Sequence, residues 1–151
     1  LKMNSLEDKD MIDALYRASE AGVKIDLIIR GICRLVPNQP YSENITVTRI
    51  VDAYLEHSRV WYFYNAGRED VYLASADWME RNLRRRIETA FPILSEPLKR
   101  QVIDILNLQL ADNQSAAWID ENLQNVFKRD DNPPVRAQHA TYEYLKRKTK
   151  E

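Results

Sequence analysis

Between residues 6 and 29 a helical stripe of apolar side chains runs into a glycine and then into a wholly apolar run. No other stretch limits the fold as much. Leu6, Met11, Ile12, Leu15, Ala18 and Ala21 share one face at helical spacing. Ser5, with Asp8 three residues on, forms a start like a capping box, with Asp where Glu or Gln is usual. Gly22 suits the left-handed residue that ends a helix. Residues 23–29 alternate at first and then become uniformly apolar through Leu27, Ile28 and Ile29, the pattern of a strand covered on both faces. Helix, glycine and buried strand in that order point to an α/β fold, with helices flanking a sheet.

Downstream, Pro37 and Pro40 mark a surface loop, and residues 45–47 form a short strand candidate. Ile50, Val51, Tyr54 and Leu55 predict a brief helix leading to His57. Residues 60–64 and 71–74, on either side of a turn at Ala66 and Gly67, read as a hairpin. A further strand is expected over 85–91. Ser95, Glu96 and Pro97 open a helix whose apolar face carries Leu98, Val102, Ile105, Leu106 and Leu110. Residues 115–129 fit either a helix through Trp118, Ile119, Leu123, Val126 and Phe127, or a hairpin with its tip at 122–125. After a linker at 130–134, residues 135–148 predict a helix rich in Lys and Arg. We divide the chain into a domain proper at 1–129 and a linker with a basic terminal helix of the same domain at 130–151.

Several functions are excluded by what the chain lacks. With only three glycines, Gly22, Gly31 and Gly67, there is no glycine-rich phosphate cradle of either the P-loop or the dinucleotide type. A bound phosphate must therefore be held by side chains, chiefly Arg and His. The formal net charge of −1 predicts no nucleic-acid or membrane partner. No apolar run approaches the ~18 residues of a membrane span. Cys33, the single cysteine, forms no intrachain disulfide and fits a reducing, cytoplasmic setting. At 151 residues one compact domain with a real core is expected. The start at Leu1 rather than Met, in what reads as a strand already under way, leads us to expect a piece of a longer protein.

His57 and Arg59 stand directly before the aromatic and β-branched run of the first hairpin strand. A histidine at such an entrance is held rigidly while facing a cleft, and its ordinary titration near neutrality suits proton transfer or phosphate contact. The alternative is a satisfied histidine at a strand edge. Arg30 follows the most apolar strand at its carboxyl end, where open α/β sheets bind ligands. There it offers a planar fork to a phosphate, or merely marks where the strand reaches water. Ser75, Asp77, Arg81 and Asn82 form a polar cluster interrupted by the apolar anchors Trp78 and Met79. Arg84, Arg85 and Arg86 add positive charge, although a charge run is commonly a solvated face. We assign His139 no role and read Cys33 as packing. Asp26, Glu43, Glu56 and Glu88 show no acid/base pairing, and no spacing matches a transition-metal site.

Several segments resemble, in order and spacing, the last domain of bacterial polyphosphate kinases of the first type. They are Lys2-Met3-Asn4-Ser5-Leu6, Ile28-Ile29-Arg30-Gly31-Ile32-Cys33, Ser42-Glu43-Asn44-Ile45, Tyr54-Leu55-Glu56-His57-Ser58-Arg59 and Ser75-Ala76-Asp77-Trp78-Met79 with Arg81, Asn82, Leu83, Arg85, Arg86 and Glu88. The similarity covers residues 1 to about 112 and is looser beyond. It implies a phospholipase-D-like α/β fold in which two similar domains build one active site. The implied reaction moves the terminal phosphate of ATP reversibly to polyphosphate, with Mg2+, through a phosphohistidine on a preceding domain. The resemblance makes Arg30 and His57 contacts of the nucleotide phosphates, with His57 also a proton donor or phosphate ligand, while the magnesium ligands stay unassigned. It implies as partners ATP or ADP, polyphosphate, the upstream domains and further copies of the enzyme, and it favours the hairpin at 115–129. That Arg81, Arg85 and Arg86 line a path for the polymer is our own expectation.

Two other readings stay open. The related phospholipase-D pattern has His-x-Lys followed by Asp; here Arg59 replaces the Lys and no Asp follows at the matching distance. That departure disfavours a phosphodiester hydrolase or transferase half-site. A non-catalytic polyanion-binding or oligomerisation module would bind in a salt-sensitive way, indifferent to His57.

Overall fold

The computed structural model describes residues 1–149; Lys150 and Glu151, the end of the basic terminal segment, lie outside the described residues. Along the chain run β1 (Lys2–Met3), α1 (Lys9–Glu20), β2 (Ile25–Ile29), β3 (Ile45–Ile50), β4 (Arg59–Phe63), β5 (Asp70–Ala74) and α2 (Glu80–Arg85). They are followed by β6 (Ala90–Pro92), α3 (Glu96–Leu110), β7 (Ala116–Ile119), β8 (Asn125–Phe127) and α4 (Ala137–Lys148). The strands form one sheet in the order β6-β5-β4-β1-β2-β3-β7-β8. β1, β2 and β3 pair in parallel at its centre. The outer pairs are antiparallel.

β2 is apolar throughout its second half because both faces of the sheet are covered. Leu27 and Ile29 pack with Ile12 and Leu15 of α1, while Ile28 packs with Ile103 and Leu106 of α3 and with Ala137 of α4. Alternate side chains thus enter two cores separated by the sheet. Each such burial contributes about 1.5–3 kcal/mol. Gly22 adopts φ +84°, as the turn from α1 into β2 requires.

The hairpin of β4 and β5, the helix opened by Ser95 and the terminal helix occur as expected. Residues 115–129 form the hairpin of β7 and β8, with Trp118 paired to Val126.

Other expectations are corrected. Asp8 rather than Ser5 caps α1, its carboxylate accepting from the Met11 amide at 3.1 Å. Ser5 is not free to cap, because Leu6 is still extended, bridged to both Cys33 and Trp78. The helix expected between Ile50 and Leu55 is absent, and that segment is an irregular loop held by polar bonds from elsewhere. The strand expected over 85–91 shortens to β6, since α2 extends through Arg85 and β5 offers partners only from Tyr72 to Ala74. On α3 the buried stripe is Ile103, Leu106 and Gln109, and Leu98 is 55% exposed, because the face meeting Ile28 and Ile50 is rotated from the one expected.

Registers then decide what gathers at one edge. Lys2 lies opposite Val60, Arg59 opposite Ala74 and Ile50 opposite Ala116. The carboxyl ends of β1, β2, β3 and β5 therefore share an edge with the amino ends of β4 and β7.

Candidate functional site at the carboxyl edge of the sheet

Arg30 leaves the end of β2 half-buried, and His57 approaches the start of β4 exposed to solvent. Arg30 Nη2 lies 3.3 Å from His57 Nδ1, and Arg30 Nε donates to Asn4 Oδ1 at 2.5 Å. A guanidinium has only donors, so a hydrogen bond between the two uses Nδ1 as the acceptor and leaves Nε2 to carry the ring proton. The two groups expected to contact phosphate thus converge from separate strand ends.

Asn4 is the adapter beneath them. Buried at the end of β1, it gives its carbonyl oxygen to Arg30 and its amide nitrogen to Asp77 Oδ1 at 3.1 Å, with its backbone N–H on the same oxygen at 2.7 Å. Asp77 also receives both prongs of Arg59, Nε at 3.2 Å and Nη2 at 3.0 Å. Burial pushes the Asp77 carboxyl upward, but the Arg59 fork and the Asn4 donors outweigh it and leave it below the usual carboxylate range. Arg59 Nη1 donates to the His57 carbonyl at 2.9 Å, anchoring that residue's main chain. The arginine standing where the phospholipase-D pattern has lysine is thereby committed to Asp77.

Gly31 lets the ends of β1 and β2 meet: a Cβ there would lie 2.9 Å from the Asn4 carbonyl oxygen. Arg49 pins the same turn, donating to the carbonyls of Gly31 at 2.7 Å and Ile29 at 3.4 Å. Lys2 is 3% exposed and pairs with Glu56 at 3.0 Å. Burial lowers the affinity of its amine for a proton; Glu56 opposes this, while Arg30 and Arg59 add to it. Among the described residues the ion pairs of Lys2, Arg30, Arg49 and Arg59 are with Asp77 and Glu56, and Glu88 acts on Arg59 from nearby, which leaves a local excess of positive charge in a chain of net charge −1. Such an edge favours an anionic guest.

The other expected residues are distributed differently. Arg81, Arg85 and Arg86 are all exposed, on α2 and its end, and Arg85 pairs with Glu80 at 2.8 Å. No hydrogen bond or ion pair among the described residues links these three to Arg30 or His57. Ser75 and Asn82 both donate to Glu88, and these bonds hold its carboxyl below the usual range, with Arg86 and Arg59 adding to the effect. Arg84 bridges Asp8 and Asp10 at the start of α1. Burial raises the Cys33 thiol, whose hydrogen goes to the Leu35 carbonyl, in keeping with packing. His139 is exposed on α4.

Asn4, Arg49, Lys2 and Glu56 were not legible as site residues. Only a charged residue inside an otherwise apolar strand, as at Lys2 and Arg49, gave a signal that could have found them.

The open mixed sheet with helices on both faces is a phospholipase-D-like α/β fold. A phospholipase D family member, Nuc from Salmonella typhimurium, shares this fold with TM-score 0.54 at 15% identity, over 85% of this chain and 80% of that one. The chain belongs to the polyphosphate kinase C-terminal domain 2 family, whose model matches residues 1–138. It is 52% identical over 148 residues to a polyphosphate kinase of Yersinia pestis, covering 97% of this chain and 22% of that protein. The crystal structure of polyphosphate kinase from Porphyromonas gingivalis matches with TM-score 0.97 at 62% identity, over 98% of this chain and 23% of that one. The chain therefore spans about a fifth of the length of these relatives.

Proposed function

We propose that this chain is the C-terminal, phosphate-contacting part of a cytoplasmic polyphosphate kinase that moves the terminal phosphate of ATP reversibly to polyphosphate. The observation that carries this reading is the approach of Arg30 to His57 at 3.3 Å in a cationic edge. Phosphoryl transfer needs positioning and charge neutralisation more than covalent work from the protein. Arg30 presents a fork to non-bridging oxygens, and His57 Nε2–H is a second donor beside it.

In the reaction the family implies, a histidine on a preceding domain accepts the terminal phosphoryl group of ATP. The P–O bond to ADP breaks as a P–N bond forms. That P–N bond then yields to a P–O bond with the end of the polymer. Arg30 and His57 act on the phosphates of the nucleotide, offsetting charge on the departing oxygen. The donors present fit the phosphates of ATP. Among the described residues no three His, Cys, Asp or Glu side chains come together, and a magnesium ion carried on the phosphates of ATP would need no such cluster from this chain. Arg81, Arg85 and Arg86 remain our candidates for contacting the polymer.

The test uses the full-length kinase carrying this domain. Replacing His57 with Ala should lower kcat by about 10²–10⁴-fold, the range for an assisted proton transfer. A rate near that of the parent enzyme removes His57 from the mechanism.

A further inference from the structure

The segment 51–58 carries His57 yet contains neither helix nor strand. Apolar burial does not hold it, since Val51, Tyr54 and Leu55 are 69%, 77% and 71% exposed. Polar bonds do, and most come from the first turn of α4. Gln138 closes both main-chain groups of Tyr54: its Oε1 accepts from the amide at 2.9 Å and its Nε2 donates to the carbonyl at 2.7 Å. The same Nε2 reaches Glu56 Oε1 at 3.0 Å. Nearby, Arg136 grips Asp52 with two prongs, at 2.8 and 2.5 Å. The other oxygen of Glu56 accepts from Gln109 Nε2 at 2.9 Å and faces Lys2 Nζ at 3.0 Å.

α4 is seated independently of these contacts. Ala137 is 0% exposed and its amide donates to Asp112 Oδ2 at 2.7 Å. Tyr144 Oη donates to Asp104 of α3 at 2.8 Å. The helix is thus a fixed post, and Gln138 and Arg136 are the ties from it to the loop.

We propose that Gln138 and Arg136 are positioning residues, which hold the main chain of 52–56 so that His57 is presented to Arg30 and to a phosphate. This rests on the role proposed above for His57. Because Tyr54 is exposed, its main-chain groups turn to water when Gln138 is removed, so folding loses little. The loop instead gains freedom, and a displacement of about 1 Å at a reacting group costs up to ~10²-fold in rate.

The experiment places Gln138→Ala and Arg136→Lys in the full-length kinase, each with and without His57→Ala. It measures kcat, the KM for ATP, the thermal midpoint and amide exchange over 52–57. Gln138→Ala should lower kcat about 10-fold, change KM less than kcat, leave the midpoint close to the parent's and speed exchange at 52–57. On the His57→Ala background it should cost nothing further. Arg136→Lys keeps the charge but loses the fork, and should act in the same direction more weakly. Exchange unchanged at 52–57, or an equal loss of kcat on the His57→Ala background, overturns the proposal. If His57→Ala alone keeps the full rate, the role of His57 falls and the catalytic half of this inference with it; the exchange measurement still decides the anchoring half.

Discussion

Arg59 and Asp77 form a two-pronged ion pair in which the side chains are 14% and 7% exposed, joining the start of β4 to the turn after β5. Removing one partner of a buried pair leaves the other charge uncompensated, which costs about 3–5 kcal/mol. Asp77→Ala should lower the stability of the chain by that amount in urea unfolding followed by tryptophan fluorescence. It should also release Asn4, and through it Arg30. A loss below about 1 kcal/mol would show that water already compensates the pair.

Arg30 holds Asn4 and His57 with different nitrogens of one fork. Lysine keeps the charge but reaches only one partner with a point-like ammonium. Arg30→Lys in the full-length kinase should lower kcat/KM for ATP by about 10- to 100-fold, the equivalent of one charge-assisted hydrogen bond of about 1.5–3 kcal/mol. An unchanged kcat/KM would mean that charge alone suffices at this position.

The two glycines flanking β2 should respond differently to alanine. At Gly31 the new Cβ would lie 2.9 Å from the Asn4 carbonyl oxygen and 3.2 Å from Ser5 Oγ, so main chain must shift next to Arg30. Gly31→Ala should cost about 1–3 kcal/mol and also impair phosphate handling. At Gly22 nothing lies within 4 Å, but φ is +84°. Gly22→Ala should cost about 1–2 kcal/mol from the left-handed backbone alone, with activity retained. Measuring unfolding and turnover on both variants separates the two effects.

Acid should destabilise the fold through specific carboxylates. The hydrogen bonds from Arg136 hold Asp52 at about 2. Asp112, pushed up by burial but held by Ser115 and by the amides of Ala137, Ser115 and Gln114, is also lowered overall. A folded-state value below the unfolded one, about 3.9, means that the unfolded chain binds protons more readily. This stability is fully present above about pH 5 and disappears as pH falls toward the folded-state value. Through these carboxylates alone the urea midpoint should hold from pH 7 to about 5 and drop steeply between about pH 4 and 2. Asp52→Asn should flatten part of that drop, and a parent midpoint constant down to pH 2 would contradict the assignment.

Local periodicity was enough to read α1, the turn at Gly22, the two-sided burial of β2, the hairpin of β4 and β5, and the start of α3 at Ser95. Each of these depends on side chains a few residues apart facing the same layer. Residues 50–55 misled because Ile50, Val51, Tyr54 and Leu55 have helical spacing, while the backbone bonds that a helix would use are taken by Gln138, 84 residues away. Residues 85–91 misled because strand formation there depended on how far β5 runs, which is a property of the partner.

From its order of residues alone, the chain determined an α/β framework and the placing of Arg30 and His57 at strand ends, since both follow from alternation and periodicity. Only the folded molecule decided that they meet, because Lys2 lies opposite Val60 and Ile28 through strand pairings that no local pattern encodes. It also decided which remote groups meet there: Asn4 on Arg30, Asp77 on Asn4, and Glu56 and Gln138 within and against the loop that carries His57. A buried polar group is stable only beside its partners, and those partners come from remote segments brought together by the sheet.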